Sequence, residues 1–285
     1  LSKLFVFGLG YSAGVLAERL GGQGWQVTGT HRGDGEGLRF DRDHPLDEAA
    51  LAALKEADHL LLSVPPDGAG DPVRDLHGAV IAACARLRWI GYLSTTGVYG
   101  DTGGAWVDEQ APLAPTTERS RYRVAAEQAW LELARAHDLP LQIFRLAGIY
   151  GPGRSELDRV RAGRAKRIDL PGRRFGRIHA EDIATVLEAS MARPNPGRVY
   201  NVSDNLPVEP RRVTERACAL LGVAPPPLVP FDQAFQTMSP MQRTFWRDDR
   251  LISNARLHEE LGVTLAYPTY EQGLQAIHET EKDHG

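Results

Sequence analysis

Cysteine is scarce in this chain, and so are long apolar runs and any strong excess of one charge; each shortage removes a class of function. Two cysteines, Cys84 and Cys218, stand far apart with no neighbouring histidine, so neither a disulfide framework nor a metal site is expected. Both read as buried thiols of a reducing compartment. No apolar stretch approaches the ~20 residues of a membrane span, and the opening LSKLFVFGLG runs into glycines as a first strand does rather than into a signal-peptide cleavage site. A cytoplasmic location is the expectation. The formal net charge of −4 over 285 residues gives no reason to expect nucleic acid or membrane as a partner.

Alternation is what the sequence does have. Short branched or aromatic runs at residues 4 to 8, 25 to 30, 59 to 64, 89 to 94 and 141 to 146 are separated by segments of helical period. Asp71-Pro72 supplies an N-cap followed by a first-turn proline, and Gly21-Gly22 ends the first helix. This pattern predicts an α/β fold, a doubly wound parallel Rossmann sheet, over residues 1 to 150. Residues 177 to 203 return to that sheet, with a helix at 180 to 192 whose stripe is Ile183, Val186, Leu187 and Met191. Residues 151 to 176 and 204 to 285 form a smaller substrate-binding region. There, VAPPPLVP at 223 to 230 reads as a rigid connector, Ser253 as an N-cap for a helix closed by Gly262, and TYEQ at 269 to 272 as a capping box.

FGLGYSAG follows the first strand. Gly8 and Gly10 match the first two glycines of the dinucleotide fingerprint, the third falls on Ala13, and Gly14 comes next. A tight turn at Gly8 and bare main chain at Gly10 let a pyrophosphate rest on the helix N-terminus, so Gly8, Gly10, Tyr11, Ser12 and Ala13 are candidate cofactor residues. Ser63, Val64 and Pro65, at the end of the strand at 59 to 64, join them. At the end of the second strand an NAD-preferring loop places an acid on the ribose, but this chain has Thr30 there and Arg32 two residues later. The missing carboxylate and the added guanidinium favour NADP over NAD. The alternative is a solvated Arg32 with Asp34 serving as a late acid.

YLSTTGVYGD at 92 to 101, YRVAAEQ on the next helix, RLAGIYGPG at 145 to 153 and RIHAEDIA at 177 to 184 follow the glycine loop in register. In this order the chain resembles the extended short-chain dehydrogenase/reductase superfamily, which includes NAD(P)-dependent nucleotide-sugar epimerases and dehydratases. The short glycine motif, STTGVYGD and SPM near 239 look most like its atypical branch. The resemblance spans about residues 3 to 275. It implies that Thr95 bonds the reacting oxygen and that a Tyr-x-x-x-Lys pair on the following helix supplies the acid/base. A phenol of pKa near 10 needs a fixed positive charge to work at neutral pH.

Here the pair is broken. With AAEQ fixing the register, the lysine slot is Arg123 and the tyrosine slot Arg119; taking Tyr122 as the tyrosine puts Ala126 in the lysine slot. Arginine does not shuttle protons at neutral pH. Three outcomes stay open: Tyr122 acts beside the two arginines, Tyr99 or Tyr150 supplies the phenol, or the protein binds the dinucleotide without hydride transfer. Arg123 would hold the ribose in place of lysine.

On the substrate side, the stretch from Arg154 to Arg177 carries nine Arg or Lys against three acids. It marks either an anionic-ligand site or a solvated basic surface. Gly148 replaces an asparagine that nucleotide-sugar members often carry. His179 either lines the site or is a packing histidine. Phe245 and Trp246 in MQRTFWRDDR form a lid or an oligomer contact. The functional expectation is an NAD(P)-dependent oxidoreductase, epimerase or dehydratase with an altered Tyr-x-x-x-Lys site, acting on a small, sugar-like, anionic substrate, free or nucleotide-linked, without a metal; the alternative is a non-catalytic NADP(H)-binding regulatory protein. The oligomeric state cannot be read from the sequence.

Overall fold

The computed structural model describes residues 1–33 and 37–283. In chain order the elements are β1 (Lys3–Phe7), α1 (Tyr11–Gly22), β2 (Gln26–His31), β3 (Leu38–Arg39), α2 (Glu48–Glu56), β4 (His59–Leu62), α3 (Pro72–Ala82) and β5 (Trp89–Thr95). A 3-10 turn (Thr96–Tyr99) leads to β6 (Trp106–Val107), α4 (Glu118–His137), β7 (Leu141–Leu146), β8 (Gly148–Tyr150), α5 (Glu156–Arg161), β9 (Arg167–Asp169), β10 (Arg177–His179), α6 (Ala180–Ala192) and β11 (Val199–Val202). The remainder is α7 (Pro210–Leu221), β12 (Leu228–Pro230), α8 (Phe231–Gln236), α9 (Pro240–Arg247), β13 (Leu251–Ile252), α10 (Ala255–Leu261) and α11 (Tyr270–Asp283).

Seven strands pair in the order β11-β7-β5-β4-β1-β2-β3, every pair parallel. Alternate residues of each strand go to opposite faces. Leu4 and Val6 pack with α1 and α6 in one apolar layer, and Phe5 and Phe7 pack with α2, α3 and α4 in the other. Burial on both faces explains why β4, His59–Leu62, carries no alternation of apolar and polar residues. The chain leaves β1 toward the β3 edge and returns to β4 on its other side, so a crevice forms at the carboxyl end of β1, where open α/β sheets bind ligands.

Local signals set most boundaries. Asp71 accepts from Val73 N and Arg74 N, with Pro72 as the first residue of α3. α6 spans the expected residues 180 to 192 and buries Ile183, Val186, Leu187 and Met191. Gly262 closes α10 at φ +66°, but the N-cap position is Asn254, one residue beyond the Ser253 expected from sequence. Thr269 does cap α11, accepting from Gln272 N at 3.5 Å. The proline-rich 223 to 230 stretch ends in β12, which pairs with β9 and so ties the segment to the residues after α5. α5, α7 and α11 share a third apolar cluster built on Leu157, Val213, Ala217, Leu274 and Ile277, with Tyr150 at its margin. Cys84 and Cys218 are both buried free thiols, and no cluster of potential metal ligands exists among the described residues. Nor is any described helix long and apolar enough to cross a membrane.

Candidate functional site

The glycine turn sits on the crevice. Gly8 has φ +84°, and a Cβ built on it would lie 3.1 Å from Val64 Cγ2 and 3.2 Å from Val64 N, so both conformation and space require glycine. Gly8 N donates to Thr30 Oγ1 at 3.0 Å, and Leu9 N to Thr30 O at 2.7 Å. This corrects the expectation for Thr30: its hydroxyl is fully buried and braces the turn, and does not face a ribose. Gly10 is different. Its φ is −95° and a Cβ there would meet nothing within 4 Å. No side chain caps α1, a feature shared with α7, α8 and α10, whereas α2, α3, α4 and α5 are each capped by a side-chain oxygen. Bare main chain beside open space at an uncapped helix start fits a dinucleotide pyrophosphate.

Ala13 is fully buried and Ser12 nearly so. Ser63 N donates to Phe7 O at 2.9 Å, which carries Val64 and Pro65 past the turn. Tyr11, the first residue of α1, donates to Pro152 O at 3.0 Å, and the Arg154 guanidinium lies 5.5 Å from its ring centroid. Arg32 is exposed after β2 and has no hydrogen bond or ion pair among the described residues. Asp34, the alternative acid, lies outside the described residues.

A cleft of about 650 Å³ adjoins the carboxyl ends of β5 and β7 and is closed by the C-terminal elements. Thr95 and Gly148 line it. Of the nine cations between Arg154 and Arg177, five open into it: Arg154, Arg159, Arg164, Lys166 and Arg177. Arg161, Arg167 and Arg173 lie outside it and pair with Glu281, Glu215 and Asp249, while within the cleft wall Arg159 pairs with Glu156. Burial lowers the Arg177 pKa, opposed by nearby Asp204, whose own carboxyl is pushed up to about 7 chiefly by burial. α9 contributes Gln242, Phe245 and Trp246 to the wall, and Trp246 stacks edge-on against Phe175. Of the two readings given for Phe245 and Trp246, the cleft wall is thus where both lie, with Phe245 65 % exposed.

The phenols are distributed otherwise than expected. Tyr122 donates to Glu118 at 2.6 Å, and that bond raises its pKa, the opposite of what a base requires. Tyr99 is not on an open loop: it lies in the buried 3-10 turn, donates to Asn201 Oδ1 at 2.6 Å and accepts from Arg145 Nη1 at 2.9 Å. Burial raises it too. Tyr150 shares the cleft wall with Thr95, but its hydroxyl is buried over Gly273 without a partner among the described residues, and burial raises its pKa. None of the three presents a hydroxyl to the cleft beside Thr95. Arg123 reaches β5, donating to Leu93 O at 2.8 Å and Tyr92 OH at 3.1 Å. Arg119 is exposed and unpaired among the described residues. His179 does not line the cleft; its Nδ1 accepts from Glu181 N at 3.2 Å as the cap of α6, and its ring packs on Tyr150 and Tyr267.

Beneath Thr95 lies a network that sequence reading missed. Ser94 hydrogen-bonds Glu127, and Arg145 holds the same carboxylate with Nη2 at 2.7 Å, both charges being buried. Asp248 and Arg250, also missed, line the cleft near Thr95. Their signal was present in WRDDR, where the aromatic residues drew the reading instead.

Sheet order, glycine turn and Thr95 together define a Rossmann-type dinucleotide-binding protein. Comparison with known proteins makes this specific: a family model for the NAD dependent epimerase/dehydratase family matches residues 76–203. Protein YeeZ of Escherichia coli K12 is 30% identical over 94% of this chain and 97% of its own. The chain belongs to the NAD-dependent epimerase/dehydratase family, the extended short-chain dehydrogenases/reductases. Among solved structures, a functionally unknown conserved protein from Silicibacter pomeroyi is 47% identical, with a TM-score of 0.86 over 99% of this chain and 100% of that one. MoeE5, solved with UDP-glucuronic acid and NAD, is 17% identical with a TM-score of 0.79 over the whole of both chains, a likeness of fold. Members of the family bind NAD.

Proposed function

We propose that the protein binds NAD(P) against the glycine turn and an anionic, sugar-like ligand in the adjoining cleft, and that it does so without the family's phenol relay. The observation that carries this reading is one sheet edge holding both a bare, uncapped turn and a cleft into which five cations of the basic tract open. Converging cations in a low-dielectric cleft favour a phosphate- or carboxylate-bearing ligand. MoeE5, of like fold, holds UDP-glucuronic acid together with NAD, which speaks for the same ligand class.

Gly8, Gly10 and the first turn of α1 would hold the pyrophosphate, and Arg123 the nicotinamide ribose. Arg32, exposed and without a partner among the described residues two positions after the one where the family's NAD binders carry an acid, favours a 2′-phosphate and therefore NADP. When bound, the nicotinamide supplies a site for hydride exchange. All three candidate phenols are raised in pKa and turned to other partners or buried, so none of the three takes up the usual proton relay. On this reading dinucleotide occupancy is sensed and relayed, as in a regulatory protein.

One observation favours a second reading, an altered oxidoreductase or epimerase. Thr95 lies in the cleft wall, and although its Oγ1 accepts from Gly97 N at 3.1 Å, its own hydrogen stays available to a reacting oxygen. Titrating NADPH and NADH into wild type and Arg32→Ala separates these points. NADPH should bind more tightly, and the variant should lose about tenfold for NADPH alone, the loss of one charge-assisted contact. Equal losses for both nucleotides would count against the 2′-phosphate contact. Nicotinamide turnover with a sugar nucleotide would establish the second reading over the first.

A further inference from the structure

Between α9 and β13 the chain passes back along the sheet edge, and Asp248 and Arg250 enter the cleft wall that also holds Thr95 and Thr96. Asp248 is 5 % exposed. One carboxylate oxygen accepts from Thr116 Oγ1 at 2.6 Å and the other from Arg250 Nη1 at 2.9 Å. The same Nη1 donates to Gly100 O at 3.0 Å, at the end of the 3-10 turn that follows Thr95. Thr116 precedes the helix cap Thr117, whose Oγ1 donates to Ser120 Oγ at 2.8 Å. Gly97 lies against both Ser120 and Thr95, since a Cβ on it would meet Ser120 Oγ at 2.9 Å and Thr95 Oγ1 at 3.4 Å. A continuous set of contacts therefore runs from Asp248 along the first turn of α4 to Thr95.

A largely buried ion pair seldom stabilises a fold more than apolar residues of the same volume would. This pair also opens onto a cavity with bonding capacity left over. A carboxylate offers about four acceptor positions and a guanidinium five N–H donors, and the contacts above use only some of each. Arg250 Nε and Nη2 are not among the buried unpartnered atoms.

We propose that Asp248 and Arg250 form a recognition pair for a sugar ring, the carboxylate accepting from a ring hydroxyl and the guanidinium donating to the adjacent oxygen. The ligand of the cleft is then a sugar with free neighbouring hydroxyls at the end nearest Thr95. This rests on the reading of the cleft as an anionic-ligand site. A buried polar site rejects an analogue lacking the matched group far more strongly than an apolar one does, because its own charges are left unpaired.

The test is calorimetric titration of the full chain with UDP and with UDP-glucuronic acid, alongside thermal melts that report folding. Wild type is expected to bind UDP-glucuronic acid at least about tenfold more tightly than UDP, the scale of one charge-assisted hydrogen bond. Asp248→Asn should erase that difference and leave UDP affinity unchanged. Thr116→Val withdraws only the hydroxyl that aims the carboxylate; it should shrink the difference, and it carries the test if Asp248→Asn fails to fold. Equal binding of both probes by wild type, or a full sugar increment in folded variants, overturns the recognition pair and leaves the anionic cleft standing. Failure of wild type to bind UDP at all overturns the cleft reading, and the pair with it.

Discussion

Two glycines, two residues apart, should fail in opposite ways when each is changed to alanine. At Gly8 the backbone has φ +84°, and the new methyl would stand 3.1 Å from Val64 Cγ2 and 3.2 Å from the Val64 amide nitrogen, which is main chain and cannot swing aside. The left-handed conformation costs an L-residue roughly 1–2 kcal/mol, and crowding against a fixed amide adds about another 1 kcal/mol. Gly8→Ala should therefore lose on the order of 2–3 kcal/mol of stability. At Gly10, with φ −95° and nothing within 4 Å of the new Cβ, the same substitution should alter stability by no more than about 0.5 kcal/mol. Its cost falls on binding, because the methyl occupies the space in which a pyrophosphate would touch main chain. A loss of about ten- to a hundredfold in NAD(P) affinity corresponds to about 1.4–2.8 kcal/mol. Urea melts without nucleotide, followed by nucleotide titration of the folded variants, give both quantities. Wild-type nucleotide affinity in Gly10→Ala would refute the assignment of the turn, and so would equal destabilisation by the two variants.

Two further outcomes concern buried charge. Removing one partner of the Glu127–Arg145 pair, as in Glu127→Ala, strands a guanidinium that is 4 % exposed and should cost about 3–5 kcal/mol in denaturant melts. Adding Arg145→Met should recover a large part of that loss, and a strictly additive double variant would show that the two charges do not act as a pair. Burial holds His179 down at about 4, against an ordinary value near 6.5. An unfolded chain takes up that proton first as pH falls, so the contribution is complete above 6.5 and is lost between 6.5 and 4, on the order of 3 kcal/mol. His179→Asn keeps a cap acceptor and should flatten the fall in melting temperature between pH 7 and 5. His59, also held at about 4, leaves a residual slope of the same sign, while Asp204, pushed up to about 7, opposes it by favouring the fold at the lower pH. An unchanged slope in His179→Asn would show that the ring titrates alike in folded and unfolded chains.

Much of the scaffold was legible in the chain itself. Continuous apolar runs between helical periods, Asp71-Pro72 at a helix start and glycines after the first strand are local facts, and a doubly wound sheet is what they jointly allow. The basic tract was visible as composition, but not which five of its nine cations turn inward, because that depends on α5, β9 and β10 folding back over the sheet edge. Thr30 occupied the acid position by counting, and only the close approach of β2 to the glycine turn converted it into a brace for Gly8.

The sequence by itself determined that a dinucleotide-type turn follows the first strand and that no register of α4 supplies both a tyrosine and a lysine at the spacing the family resemblance implies, since both are facts of a single segment. Only the tertiary structure decided where the other candidate groups go: a carboxylate at residue 248 meeting a threonine at 116, a phenol at 99 drawn into a buried ion network, and another at 150 sealed under the last helix. Those pairings join residues some fifty to more than a hundred positions apart. The first and last are set by how the segment before β13 and α11 pack on the sheet edge, the second by the 3-10 turn meeting β7 and β11, and no local propensity encodes that packing.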